Sequence, residues 1–186
     1  MHRTGVTSLF TAGALVCLSL CHGAAAQTTP RIKAGLWQIQ VERTEDGKVM
    51  PDATARMQEH MKTMTPERRK QFEEMMKQHG VDVGAGNAMK ICYSQEMVER
   101  GSWSDQSTCK TDYGSRSASA WKWHSVCPAL NYEGDGEASF PDSENFVVKS
   151  SGAVTTSGKA HTSSSVRTGK WLSANCGEIK PLDSTP

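Results

Sequence analysis

The sequence predicts a mainly β protein (α+β): an antiparallel β-meander, open or curled into a partial barrel, with an inserted helical hairpin. Three observations predict it. Trp37, Ile39 and Val41 alternate with Gln38, Gln40 and Glu42, the period of a half-buried strand. Between residues 52 and 80 the apolar spacing changes to three and four, the period of a helix. From residue 107 onward, short strand-like segments follow one another, separated by turn residues. Short connections impose antiparallel pairing, because a parallel crossover needs about a dozen residues.

The 186 residues carry 21 Lys+Arg against 20 Asp+Glu, with a mean hydropathy of -0.53. Such a length suits one modest domain, and such a charge balance argues against nucleic acid as a partner. A basic start (Met1, His2, Arg3), an apolar stretch over residues 6–20 and the run Ala24-Ala25-Ala26 together read as a signal peptide, residues 1–26, cleaved after Ala26. Lipidation at Cys21 is disfavoured because Leu20 is too bulky for the usual motif. Beyond residue 26 no apolar run approaches the ~20 residues of a membrane span. The expectation is a periplasmic or secreted protein whose residues 27–186 form a single disulfide-stapled β-rich domain, the helical insertion lying at about residues 52–80.

Cleavage removes Cys17 and Cys21 and leaves Cys92, Cys109, Cys127 and Cys176, an even number for an oxidising compartment. Three pairings are open. Cys92 and Cys109 flank a short, locally closed segment, and Cys127 and Cys176 bracket a run of strands, so the expected bonds are Cys92–Cys109 and Cys127–Cys176. Zinc lacks support, since neither a C-x-x-C nor an H-x-x-x-H spacing occurs.

The elements follow in order. Trp37 should point inward from the first strand, Asp46-Gly47 supplies turn chemistry, and Pro51 ends the pairing. Asp52 can cap a helix bearing Met57, Met61 and Met64. Thr65 can cap a second one, with Pro66 suited to its first position and Glu67 favourable to its dipole. Phe72, Met75, Met76 and His79 form the second apolar face; Arg69, Glu73 and Lys77 are spaced for i,i+4 ion pairs; Gly80 supplies the stop. Residues 81–87 make a glycine-rich return, residues 88–93 a strand, and Ser94 caps a single helical turn. Further strands are expected at 107–113, 118–127, 132–140, 145–154, 159–167 and 170–176. On the second of these Trp121, Trp123 and Cys127 share one face, Lys122 and His124 the other. Residues 155–168 are almost wholly polar, which fits an edge, a solvent wall or the lining of a wet cavity.

The order of these features resembles an exported bacterial family known as domain of unknown function thirty-six seventeen. The matching residues are Lys33-Ala34-Gly35-Leu36-Trp37, Cys92, Cys109, Trp123, Cys127 and the closing Gly169-Lys170-Trp171-Leu172-Ser173-Ala174-Asn175-Cys176, within about residues 31–177. The Met-rich helix over 65–80 is the kind of insertion often seen there. The resemblance implies an exported small β-rich domain and implies no activity.

Chemistry-bearing groups are few. Neither G-x-S-x-G nor H-E-x-x-H occurs, so an enzyme is not expected and no catalytic residue is assigned. His124 and His161 read as surface histidines. Glu133, Asp135 and Glu137 would share a face if extended; a soluble turn is the plainer reading, since the other ligands of a calcium loop are missing. Met57, His60, Met61, Met64, Met75, Met76 and His79 are soft ligands of the type that holds cuprous ion. Methionine at helical spacing is also ordinary core filler, so packing is the first reading, and no metal or cofactor is assigned. The expected role is a non-catalytic binding module in which Met57, Met61, Met75, Met76, Trp121 and Trp123 line a site for an apolar small molecule. The alternatives are a copper-binding module and a structural or partner-binding envelope protein. A deep pocket lined by Trp and Met would favour the carrier; an open, polar, shallow surface would favour a partner. Intact mass of the exported protein should correspond to a chain starting at Gln27, whereas a diacylated Cys21 would contradict the cleavage assignment.

Overall fold

The computed structural model describes residues 29–83, 88–100 and 109–182, so the expected signal peptide and its cleavage site lie outside the described residues. The chain runs β1 (Gly35–Glu45), β2 (Lys48–Val49), α1 (Ala53–Lys62), α2 (Pro66–Gln78), β3 (Val81–Asp82), β4 (Met89–Tyr93), α3 (Gln95–Arg100), β5 (Lys110–Arg116), β6 (Ala120–Cys127), β7 (Tyr132–Ser139), β8 (Asn145–Thr156) and β9 (Lys159–Ser173). Among the described residues one antiparallel sheet holds all nine strands, in the order β3-β4-β1-β9-β8-β7-β6-β5, with β2 folded back on the far end of β1. β5 to β9 form the expected meander. The sheet stays open, ending at β3 and β5, and does not become a barrel.

Local chemistry explains the connections. Asp46-Gly47 and Ser157-Gly158 take positive φ at both positions (48° and 76°; 51° and 77°), the conformation whose twist matches a two-residue hairpin. Asp52 Oδ1 accepts from the Ala55 amide at 2.9 Å, Thr65 Oγ1 from Arg68 at 3.4 Å, and Ser94 Oγ from Met97 at 3.2 Å, so each helix starts at its expected cap. The ion pairs on α2 differ from expectation: Lys70 faces Glu74 at 3.9 Å, and Lys77 reaches Glu178 at 2.9 Å, beyond the end of β9.

The core lies on one face of the sheet. Trp37 is fully buried, with its ring 5.1 Å from Phe146 and 6.4 Å from Tyr93. Ile32 from the leading segment, Met97 and Val98 from α3, and Phe140 complete the cluster with Ile39 and Trp121. Three indole N–H groups are satisfied by main-chain carbonyls: Trp37 to Lys33, Trp121 to Ser117 and Trp171 to Ala34, at 3.0, 2.9 and 3.0 Å. Burial therefore leaves no indole donor of these three unpaired, which would otherwise cost about 1–3 kcal/mol each.

Two expectations are corrected. The segments 159–167 and 170–176 are not separate strands, because β9 runs unbroken through Gly169. That glycine faces Phe146 across the ladder, and a Cβ there would stand 2.2 Å from the ring; the missing side chain makes room for an aromatic, not for a turn. The disulfides pair Cys92 with Cys176 and Cys109 with Cys127, replacing Cys92–Cys109 and Cys127–Cys176. Strand register decides this. Lys110 opposes Val126, so the preceding Cys109 falls beside Cys127 at the mouth of the β5–β6 hairpin, with Cα atoms 4.1 Å apart. Cys92 and Ser173 both flank Leu36, on β4 and β9, which brings the chain just beyond Ser173 close to Cys92. On the loop-entropy account the long 84-residue link contributes over 4 kcal/mol and the 18-residue link about 3 kcal/mol.

Gly169→Ala should destabilise the fold by about 1–3 kcal/mol, the cost of overpacking against the buried Phe146 ring. Adding Phe146→Leu should recover part of that loss in urea denaturation. An unaltered midpoint for the single variant would contradict the packing assigned here.

Candidate functional site

An open depression of about 720 Å3 crosses β5 to β9. Cross-strand register builds it mainly from the sheet face turned away from the core. One row carries Asp112, His124, Asp135, Ser151 and Ser164, each opposite the next; the adjacent row carries Lys122, Glu137, Lys149 and Val166. All of them line the depression. Charges alternate across the strands, the arrangement in which directly opposed side chains attract. Lys149 lies 3.7 Å from Glu137, and the His124 ring lies 3.0 Å from Asp135 through Nδ1 and 3.4 Å from Glu133 through Nε2.

Glu133, Asp135 and Glu137 are therefore strand residues of β7, not a soluble turn, and they do share one face. Strand alternation puts them there, and Gly134 and Gly136 between them occupy the core-side face. A Cβ on Gly136 would meet the Trp123 ring at 2.2 Å, so the indole fills the space over that glycine on the opposite face. Among the described residues no group of three or more His, Cys, Asp or Glu is placed to hold a metal ion.

The residues expected to bind an apolar ligand separate into two places. Trp121 and Trp123 do share the core-side face, where Tyr113 lies 6.1 and 6.4 Å from their rings and Arg116 stacks 4.1 Å above Trp121. Trp121 also meets Phe140 edge to face at 5.5 Å, so its surface is already used in packing. The methionines are elsewhere. Met61 is buried and Met57 and Met76 are half-buried, but Met75 is 47% exposed, and none of the four packs against the aromatic core. Phe72 is only half-buried as well, and α2 contains no buried residue. The sequence lacked any sign of this separation, because helical periodicity reports which residues share a face and not what that face meets.

Two histidines are held by carboxylates. His161 Nδ1 lies 2.8 Å from Asp46, whose other oxygen accepts from the Thr162 amide, tying the β1–β2 turn to β9. That bond holds Asp46 below the usual carboxylate range, so its contribution to stability is present above about pH 3.8 and fades as pH falls through the lowered value. Asp135, and after it Glu133, raises the pKa of His124 above 6.5.

The fold and this face define a class: an open, disulfide-linked antiparallel sheet with an aromatic core on one side and ordered charge on the other. The chain belongs to DUF3617, a protein family of unknown function, which matches residues 32–176. An uncharacterised protein from the lpd-3 5′ region of Pseudomonas putida is similar to it, 29% identical over 130 residues that span 68% of this chain and 89% of the relative. No solved structure matches. No helix among the described residues is long and apolar enough to cross a membrane.

The His124 imidazole should titrate above pH 6.5 by NMR, and Asp135→Asn should bring it down toward that value. Its contribution to stability is complete below the unfolded value near 6.5 and is lost as pH rises through the raised folded value. A lower value in the parent than in Asp135→Asn would contradict the assigned contact.

Proposed function

We propose that this is a non-catalytic, exported binding protein that engages another protein through the charge-ordered depression of its sheet. The observation that carries the reading is the lining itself. Lys122, Asp135, Glu137 and Lys149 are exposed, alternate in sign, and sit on rigid strands. Rows of alternating charge at strand spacing suit a partner of complementary mixed charge; an anion or a metal ion would meet a repulsive group next to each attractive one. An apolar carrier would need an enclosed site, whereas this depression is open; Trp121 packs against Tyr113 and Phe140, and although Trp123 reaches the depression, it does so among charged and hydroxyl side chains. A catalytic role for His124 finds no support, since both of its ring nitrogens face carboxylates and neither addresses a nucleophile. Export rests on the leading segment, and two disulfides and the absence of a spanning helix among the described residues agree with it.

A photo-crosslinking amino acid at position 149 in the exported protein should yield one discrete adduct in cells. Lys122→Glu should remove that adduct, and salt should weaken it, because the contact is electrostatic and exposed. N-phenyl-1-naphthylamine should show no saturable binding. Saturable uptake of that probe with displacement by lipid, or adducts unaffected by charge reversal, would overturn the reading.

A further inference from the structure

Met61 is buried, but the other hairpin methionines are too exposed to be explained as core filler. Met64 is half-buried like Met57 and Met76, Met75 is exposed, and none of these four belongs to the aromatic core. His60, Met64 and Met75 line one depression of about 460 Å3 between α1 and α2, together with Arg68 and Phe72. Among the described residues nothing hydrogen-bonds the His60 ring, and no carboxylate lines the depression.

We propose that this depression binds a cuprous ion through the imidazole of His60 and the thioethers of Met64 and Met75. Two thioethers and one imidazole make a soft, neutral donor set, which favours Cu(I) over calcium, magnesium or zinc. Arg68 is the one formally charged residue in the lining, and it repels a monovalent ion half as strongly as a divalent one at equal distance. Hydrogen bonds hold the turn that carries His60 and Met64. The amide and hydroxyl of Thr63 both donate to the His60 carbonyl, at 3.0 and 2.7 Å, and the Met64 amide donates to Met61 at 3.2 Å. Arg69 Nε donates to the Met61 carbonyl at 3.1 Å, tying the start of α2 to the end of α1. This site is remote in sequence from the charge-ordered strands and independent of them, so either reading can fail alone.

The purified mature protein is titrated anaerobically with Cu(I) held by bicinchoninate, after a thiol assay shows that no cysteine is free. One equivalent should transfer to the protein, and the X-ray absorption spectrum should contain a sulfur shell. Met64→Leu and Met75→Leu keep side-chain volume and should each weaken binding about tenfold or more, as should His60→Ala. Met57→Leu and Met76→Leu lie outside the lining and should bind as the parent does. Circular dichroism establishes that each variant keeps its helices. Failure of the parent to compete with the chelator, a spectrum without sulfur neighbours, or parental affinity in the Met64→Leu/Met75→Leu double variant would overturn the proposal.

Discussion

Burial of Trp37 is the constraint around which the rest of this structure is arranged. Its strand pairs with β4 on one side and β9 on the other, so the residue stands where the meander meets the strands on either side of the helical insertion. Removing a tryptophan from such a place costs about 3–5 kcal/mol, a large part of what holds a small protein together. Two glycines make the burial possible. Gly35, at φ 126°, lets the chain pass within contact of the Ser173 carbonyl, where a side chain would collide, and the register shifts just there between Leu36 and Trp37. Gly169 leaves space for Phe146 to lie against the sheet beside the indole.

The core needs only one face of the sheet, and this frees the other for charge. The same alternation that sends Trp121 and Trp123 inward sends Lys122 and His124 outward, and β7 answers with Asp135 and Glu137 at matching positions. Both edges are guarded. β3 is two residues long, and β5 carries Lys110 and Arg116 with an irregularity at Gly114, devices that discourage pairing with a further strand. An open sheet is thus kept from edge-to-edge association while its charged face remains accessible.

The helical hairpin obeys a separate logic. Its helices are capped by their own residues, and its turn is tied by local hydrogen bonds. At the end of α2 it is tied to the segment that follows β9, where Lys77 contacts Glu178 and Gly80 fits closely against Leu182. Met61 is buried there, yet no methionine of the hairpin is consumed in the aromatic core.

The sequence by itself determined whatever depends on neighbours along the chain. Strand alternation around Trp37, the caps at Asp52, Thr65 and Ser94, the two positive-φ hairpins and the helical period of the methionines all act within a few residues. They were legible for that reason. The tertiary structure decided everything that depends on register between distant strands. It set which cysteines meet, because pairing follows the ladder and not proximity along the chain. It turned Gly169 from a break into a seat for Phe146, and aligned Lys122, Glu137 and Lys149 into one charged row. It also placed the methionine face away from the aromatic core, since the period of a helix fixes the direction of its side chains relative to one another and leaves the opposing surface to long-range packing.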